Sequence, residues 1–371
     1  MTISQKRSLQ KAAALSLCGG LVICCFLSVP RIAAAIPASF VDFFNMSAPE
    51  EPLHAMGAES TLLWEESTVS RPEEESEEDR QEDNLWEPES SESPEVSDPL
   101  PPEEAITVLA DSFCWYEPGE TPTLDLINGT SFRVDPAEYL QKRFPIPTPT
   151  NTSQQPLVLI MHTHGTESYL PNGVEYYLPD EDFRSENPEE TVIAVGEVIS
   201  RRLELLGISV IHDTTMHDAE NFNYAYVYSA ATVQRYLEEY PSIRYVLDIH
   251  RDSIFAPDGT CEKTLTYIDG KPTAQIMPVV GTSQNGSAHP DWKTNLTVAT
   301  HLADLLGRFY PTLSRPINLR ADGFNQWLSP GALIIEVGSC GNTLEEAKRA
   351  GELFATTFAV LLKENHENTI S

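Results

Sequence analysis

The feature that most constrains this chain is an alternation of apolar runs and amphipathic segments that begins at Leu157. The apolar runs LVLIMH, ISVIHD, IRYVLDIH and GALIIEVG suit buried strands, and KTLTYIDGKPTAQIMPVVG suits a hairpin that leads into another strand. Helical segments lie between them: ETVIAVGEVISRRLELLG, AYVYSAATVQRYLEEY, TNLTVATHLADLLGRFY and NTLEEAKRAGELFATTFAVLLKE, the last capped by Asn342 or Thr343. This order predicts an α/β fold, a three-layer sandwich whose mostly parallel sheet is flanked by helices.

The N-terminal residues 1–35 have the composition of a membrane anchor or a signal segment. Three basic residues precede an apolar stretch, Ala12 to Val29, that is about as long as a bilayer span. This stretch is longer than the apolar core of a signal peptide, which favours an uncleaved anchor, although Ala33–Ala35 could serve as a cleavage site. The basic flank predicts that the rest of the chain lies outside the cytoplasm.

Residues 36–104 form a predicted acidic, disordered linker. The chain has a formal net charge of −32, and positions 50–104 alone hold 20 acidic and two basic residues. Such a segment buries too little apolar surface to fold, so a solvated spacer is expected, with a docking tail for a basic partner as the alternative. Because nucleic-acid-binding proteins need a basic footprint, the acidic charge balance argues against that function.

The remaining residues, 105–365, are expected to form one hydrolase domain. It should open with a short strand pair in DLINGTSFRV and a helix that begins at Asp135-Pro136. Its three cysteines are Cys114, Cys261 and Cys340, which form no CxxC pattern, so the domain can hold at most one disulfide.

Polar side chains suited to zinc chemistry follow three of the predicted strands. LVLIMH leads into His162, His164 and Glu167, whereas IRYVLDIH ends at His250 and GALIIEVG contains Glu336. The carboxyl ends of parallel strands are where ligand sites form in α/β sheets. His164, Glu167 and His250 would make a His₂Glu zinc set, although His162 could replace His164.

The two remaining roles are those of a base and an anion binder. Glu336 lies in an apolar strand, where a carboxylate is costly without a purpose, and is the candidate base for a zinc-bound water. Arg251 could stabilise an oxyanion or bind substrate carboxylates, or it could pair structurally with Asp248 or Asp252.

Several of these motifs together resemble the stage II sporulation protein P family. They are LINGTSF, HTHGTESYLP, VIAVGEVISRRLELLGISVIHD, DIHRDS, the VVGT…WKTNLTVA region and FNQWLSPGALIIEVGSCGNTLEEA, in the same order and over roughly residues 105–362. The resemblance implies a fold similar to zinc amidases and, more remotely, zinc carboxypeptidases. It places the zinc ligands at His164, Glu167 and His250 and the base at Glu336; amidase relatives would instead place the carboxylate ligand at Glu189 or Glu190.

The same resemblance implies a function. It is an N-acetylmuramoyl-L-alanine amidase with endopeptidase activity that degrades peptidoglycan during engulfment in sporulation. Two partners are expected. Stage II sporulation protein D is a lytic transglycosylase, and stage II sporulation protein M is a membrane protein. The catalytic domain would lie between the mother-cell and forespore membranes, held by a single membrane span. A zinc peptidase restricted to stem peptides and an inactive wall-binding scaffold are the alternatives.

Overall fold

The computed structural model describes residues 101–114, 124–146 and 154–367. The predicted N-terminal segment, residues 1–35, and all but the last four residues of the predicted linker lie outside the described residues. Within the described ranges, every helix is too short or too polar to cross a membrane.

The described residues form thirteen strands and five α-helices. The strands are β1 (Ile106–Thr107), β2 (Leu109–Asp111), β3 (Leu126–Asn128), β4 (Val158–Met161), β5 (Tyr176–Tyr177), β6 (Val210–His212), β7 (Tyr245–Asp252), β8 (Ile254–Phe255), β9 (Cys261–Ile268), β10 (Lys271–Ala274), β11 (Ile276–Val280), β12 (Ile317–Leu319) and β13 (Gly331–Ser339). The helices are α1 (Pro136–Leu140), α2 (Val192–Leu205), α3 (Ala225–Glu239), α4 (Trp292–Phe309) and α5 (Leu344–Glu367).

The central sheet has seven strands in the order β3-β12-β11-β13-β7-β4-β6. Every neighbouring pair is parallel except β11 and β13, which are antiparallel. A smaller sheet of β10, β9 and β2 carries β8 along one side, and β1 pairs with β5. The predicted α/β class and mostly parallel sheet are therefore confirmed.

Helices cover both faces of the central sheet. Because side chains alternate along β4, Val158 and Ile160 pack into the larger core with α2, α4 and α5. Leu159 and Met161 face the opposite way and pack with Val233 of α3. The sheet is therefore covered by helices on both faces, which gives the three predicted layers.

Local signals set the helix ends. The Thr191 side chain accepts a hydrogen bond from the Ile193 amide at the start of α2. Gly207, with φ of 81°, follows the end of that helix in the left-handed region that glycine tolerates. At α5, the Thr343 side chain accepts from the Glu346 amide and the Glu346 carboxylate accepts from the Thr343 amide, which makes a capping box.

One local prediction was wrong. The segment DLINGTSFRV forms no strand pair, because only Leu126–Asn128 is a strand and it joins the edge of the central sheet beside β12. The following helix begins at Pro136 as expected, with the Asp135 carboxylate accepting from the Ala137 amide at 3.0 Å.

Candidate metal and catalytic site

The three strands that carry the predicted site residues are neighbours in the sheet. β13, β7 and β4 lie side by side and run parallel, so their carboxyl ends share one edge. His250 of β7 is the register partner of Glu336 of β13. His164 and Glu167 lie in the turn that follows β4. The fold therefore gathers all four residues at one edge.

His164, Glu167 and His250 form a compact, buried cluster. The Nδ1 atom of His250 lies 3.4 Å from Oε2 of Glu167. The rings of His164 and His250 are edge to face, with centroids 5.4 Å apart. All three residues are at most 9% exposed. The Glu167 carboxylate also accepts a hydrogen bond from the Arg251 amide, which fixes one of its oxygens.

A second carboxylate faces each histidine of the cluster. Asp248 Oδ1 lies 2.9 Å from His250 Nε2, and Asp218 Oδ2 lies 3.6 Å from His164 Nδ1. Asp248 is itself held by the amide and hydroxyl of Thr163. Metal-binding histidines commonly have a carboxylate at the ring nitrogen that does not bind the metal, because it orients the ring.

The electrostatics of the cluster are those of a site that attracts a cation. Burial favours a neutral His250 ring, but the carboxylates of Asp248 and Glu167 raise its pKa well above its usual value. Burial likewise opposes ionisation of Glu167, but contact with His250 and the nearby Arg251 lower its pKa to about 2. The cluster thus places two carboxylates, those of Asp248 and Glu167, around the His250 ring.

Glu336 is a half-buried carboxylate of the site with an unsatisfied oxygen. Its Oε2 atom is buried without a hydrogen-bond partner. Burial, reinforced by the nearby Asp252 carboxylate, raises the pKa of Glu336 to about 8. A carboxylate with a buried, unsatisfied oxygen beside His250 is costly to folding and is typical of a group kept for proton transfer.

The donor types in the cluster fit a metal. Two imidazoles and a carboxylate are the ligands of many catalytic zinc sites. Among the residues that the structure describes, no three His, Cys, Asp or Glu side chains form a complete metal site. Each ring has a carboxylate beside one of its nitrogens, Asp248 at His250 Nε2 and Asp218 at His164 Nδ1. The other nitrogen of each ring is the one that could bind an ion.

The alternative ligands lie elsewhere. His162 is fully buried, with Nδ1 at the Ile249 carbonyl and Nε2 2.9 Å from Nε2 of His212. Its ring packs against Gly196 of α2, on the same face of the sheet as Val158 and Ile160. Glu189 and Glu190 are exposed, and the Glu190 carboxylate accepts from Ser185 and Asn187.

The Arg251 side chain turns inward rather than toward an open site. Its guanidinium donates to the carbonyls of Ser168 and Phe183 and, at 3.4 Å, to that of Asp252. One prediction was that Arg251 pairs with the carboxylate of Asp248 or Asp252. The side chain makes neither pair. This placement favours a structural role, in which Arg251 ties the loop after Glu167 to β7.

Sequence reasoning missed Asp218 and Phe222. Asp218 accepts hydrogen bonds from Thr166 and Arg184 and faces His164. Phe222 stacks on the His164 ring with centroids 4.4 Å apart and is 42% exposed. A signal was present, because both residues follow β6, the next parallel strand, whose carboxyl end reaches the same edge.

Comparison with solved structures returns cell-wall amidases at low similarity. AmiC2 of Nostoc punctiforme matches with 13% identity and a TM-score of 0.34, over 57% of this chain and 99% of that chain. CwlD of Clostridioides difficile, in complex with the GerS lipoprotein, matches with 11% identity and a TM-score of 0.36, over 56% and 98%. CwlV of Bacillus (Paenibacillus) polymyxa gives the same identity and TM-score over 56% and 99%. TM-scores this low establish neither a shared fold nor a function.

Sequence comparison is more specific. Stage II sporulation protein P of Bacillus subtilis (strain 168) is 31% identical over 224 residues, which are 57% of this chain. The match spans about half the length of that relative, 53%. The family model of stage II sporulation protein P matches residues 44–359, which is most of the chain. The chain belongs to the stage II sporulation protein P family.

Proposed function

We propose that the chain is a zinc-dependent N-acetylmuramoyl-L-alanine amidase with endopeptidase activity, which degrades peptidoglycan during engulfment in sporulation. Family membership supports a role in sporulation. The observation that carries the chemistry is the meeting of His164, Glu167 and His250 with the unpaired Glu336 at one sheet edge.

Two donor atoms of the proposed zinc set face each other. Glu167 Oε2 and His250 Nδ1 lie 3.4 Å apart, so a carboxylate and an imidazole are placed to hold one ion. His250 would then bind through Nδ1, with Nε2 directed to Asp248, and His164 would be oriented by Asp218.

Each residue then has a distinct role. Bound zinc supplies a polarised carbonyl and a water of lowered pKa. Glu336 would accept a proton from the attacking water and donate it to the leaving amine of the lactyl–alanine amide. Asp218 and Asp248 hold the two imidazoles, and the Phe222 ring limits the freedom of His164.

The location and partners belong to the same proposal. The apolar stretch from Ala12 to Val29 would hold the chain in the membrane by a single span, with the catalytic domain between the mother-cell and forespore membranes. The stage II sporulation proteins D and M are the proposed partners. Their combined action would let a transglycosylase cut glycan while this chain removes stem peptides.

The test combines zinc content with muropeptide analysis of purified sacculi digested by the full-length chain. We expect one zinc per chain and free lactyl ends. Glu336→Gln should keep zinc and lose hydrolysis, whereas His250→Ala should lose zinc. Glu189→Gln is the matched control, because that carboxylate is exposed, and it should change neither.

Other outcomes would reject the proposal in distinguishable ways. Cleaved stem peptides without lactyl ends would indicate a peptidase alone. Intact sacculi and no zinc, from a folded chain with or without the transglycosylase, would indicate a wall-binding scaffold. Full activity in Glu336→Gln would remove Glu336 from the role of base.

A further inference from the structure

Two of the three cysteines in the described part of the chain face each other in the interior. Cys261 is the first residue of β9, and Cys340 directly follows β13. Their Sγ atoms lie 3.1 Å apart, and both residues are 0% exposed. A disulfide bond is about 2.05 Å long, so closing the bond requires the sulfur atoms to approach by about 1 Å.

The backbone on both sides of the pair is already held in place. The Cys261 amide donates to the Tyr177 hydroxyl at 3.0 Å, and the Cys340 amide donates to the Asp252 carbonyl at 2.9 Å. The Ser339 hydroxyl donates to the Glu262 carbonyl at 2.6 Å, which joins the two segments directly beside the cysteines. The two sulfur atoms therefore meet because the fold fixes both chains.

The pair belongs to a small apolar cluster of its own, apart from the main core. Its other buried members are Val108, Leu170, Tyr177 and Phe183. This cluster underlies the loop that carries Glu167, and Arg251 donates to the Phe183 carbonyl beside it. A covalent link here would join the two segments that hold this cluster together.

The third cysteine serves as an internal control. Cys114 donates to the carbonyls of Thr312 and Ser314 and accepts from the Gln275 side-chain amide. Burial raises the pKa of Cys114 to about 12. It has no cysteine among these contacts and is expected to remain a thiol.

We propose that Cys261 and Cys340 form an intrachain disulfide when the chain folds outside the cytoplasm. The inference rests on the proposed location for its oxidant but not on the proposed catalytic activity. In the first step, one of the two cysteine thiolates attacks a sulfur of an external disulfide, either that of a thiol–disulfide oxidoreductase or that of a small disulfide, and one oxidant thiol leaves. The other cysteine then attacks the protein sulfur of this mixed disulfide and releases the second oxidant thiol. The protein loses two electrons and two protons, and the oxidant gains them.

Because both cysteines are fully buried in the folded chain, the exchange should take place before folding is complete. The bond would join residues 79 positions apart and so restrict the unfolded chain strongly. The catalytic residues would keep their positions, since the bond only shortens an existing contact.

The decisive test is a peptide map of the full-length chain refolded with oxidised glutathione. Free thiols are alkylated in denaturant, and the protein is digested without reduction and analysed by mass spectrometry. We expect a Cys261–Cys340 linked peptide and an alkylated Cys114. Alkylation of both Cys261 and Cys340, or a link from either to Cys114, would overturn the proposal.

Thermal unfolding gives an independent readout. Reductant should lower the Tm of the oxidised wild-type chain by about 5–15 °C. Cys261→Ala and Cys340→Ala should each melt lower and show no response to reductant, whereas Cys114→Ala should keep the full response. An oxidised wild-type chain that melts equally with and without reductant would contradict a stabilising disulfide, and the peptide map decides even if a variant fails to fold.

Discussion

Replacing Arg251 by lysine separates a structural role of this side chain from a catalytic one. The guanidinium is buried and donates through Nε to the Ser168 carbonyl at 2.9 Å and through Nη2 to the Phe183 carbonyl at 2.5 Å. Phe183 has φ of 55°, a conformation that is costly for a bulky residue and that these bonds help to hold.

The magnitude follows from the bonds that lysine cannot replace. Hydrogen bonds from a charged donor contribute about 1.5–3 kcal/mol each, and a lysine ammonium at this position could keep one of the two short ones. The loss of the other bond, together with the carbonyl left unsatisfied, should lower the free energy of unfolding by about 3 kcal/mol. We expect Arg251→Lys to shift the urea midpoint accordingly without changing the denaturant slope.

The control for this variant is the same substitution at an exposed arginine. Arg201→Lys alters a side chain that is 74% exposed and pairs only with Glu197 one turn away, so its effect should be within about 0.5 kcal/mol. If Arg251→Lys unfolds at the wild-type midpoint and retains zinc, yet kcat falls more than about 100-fold, the side chain acts on substrate. The structural assignment made from its three carbonyl contacts would then be wrong.

Three further predictions concern other parts of the domain. Asp218→Asn should weaken zinc binding about 10–100-fold in a competition titration, because His164 loses its orienting carboxylate. Gly196→Ala should cost about 1–3 kcal/mol in urea unfolding, because the new Cβ would lie 2.7 Å from His162. Burial lowers the pKa of His289 to about 4, below the unfolded value near 6.5, so the stability it contributes is present above pH 6.5 and falls as pH drops toward 4. The free energy of unfolding of the wild-type chain should therefore fall between pH 7 and pH 4. In His289→Leu this fall should be smaller by roughly 2–3 kcal/mol.

Local pattern was enough to find most of the elements. The apolar runs at β4, β7 and β13 and the periodic segments of α2 to α5 lie where the sequence predicts them, because burial imposes the period of each element on its own residues. The exception is Leu126–Asn128, which pairs with a strand 191 residues later in the chain, and no local pattern reports such a pairing.

The sequence by itself determined which residue types follow each strand, and hence that His164, Glu167, His250 and Glu336 would meet if their strands were neighbours. Only the tertiary structure decided that β13, β7 and β4 are adjacent, since strand order depends on contacts between distant segments.

Tertiary structure also decided the direction of individual side chains. Arg251 points inward because the Ser168 and Phe183 carbonyls lie within its reach. The His162 ring is held on the α2 side of the sheet, at the Ile249 carbonyl and His212. Asp218 lies 52 residues after Thr166 in the sequence, yet it accepts a hydrogen bond from Thr166 and faces His164. A sequence records the residues available to a site, whereas burial and hydrogen-bond satisfaction, which are properties of the packed whole, select which of them face it.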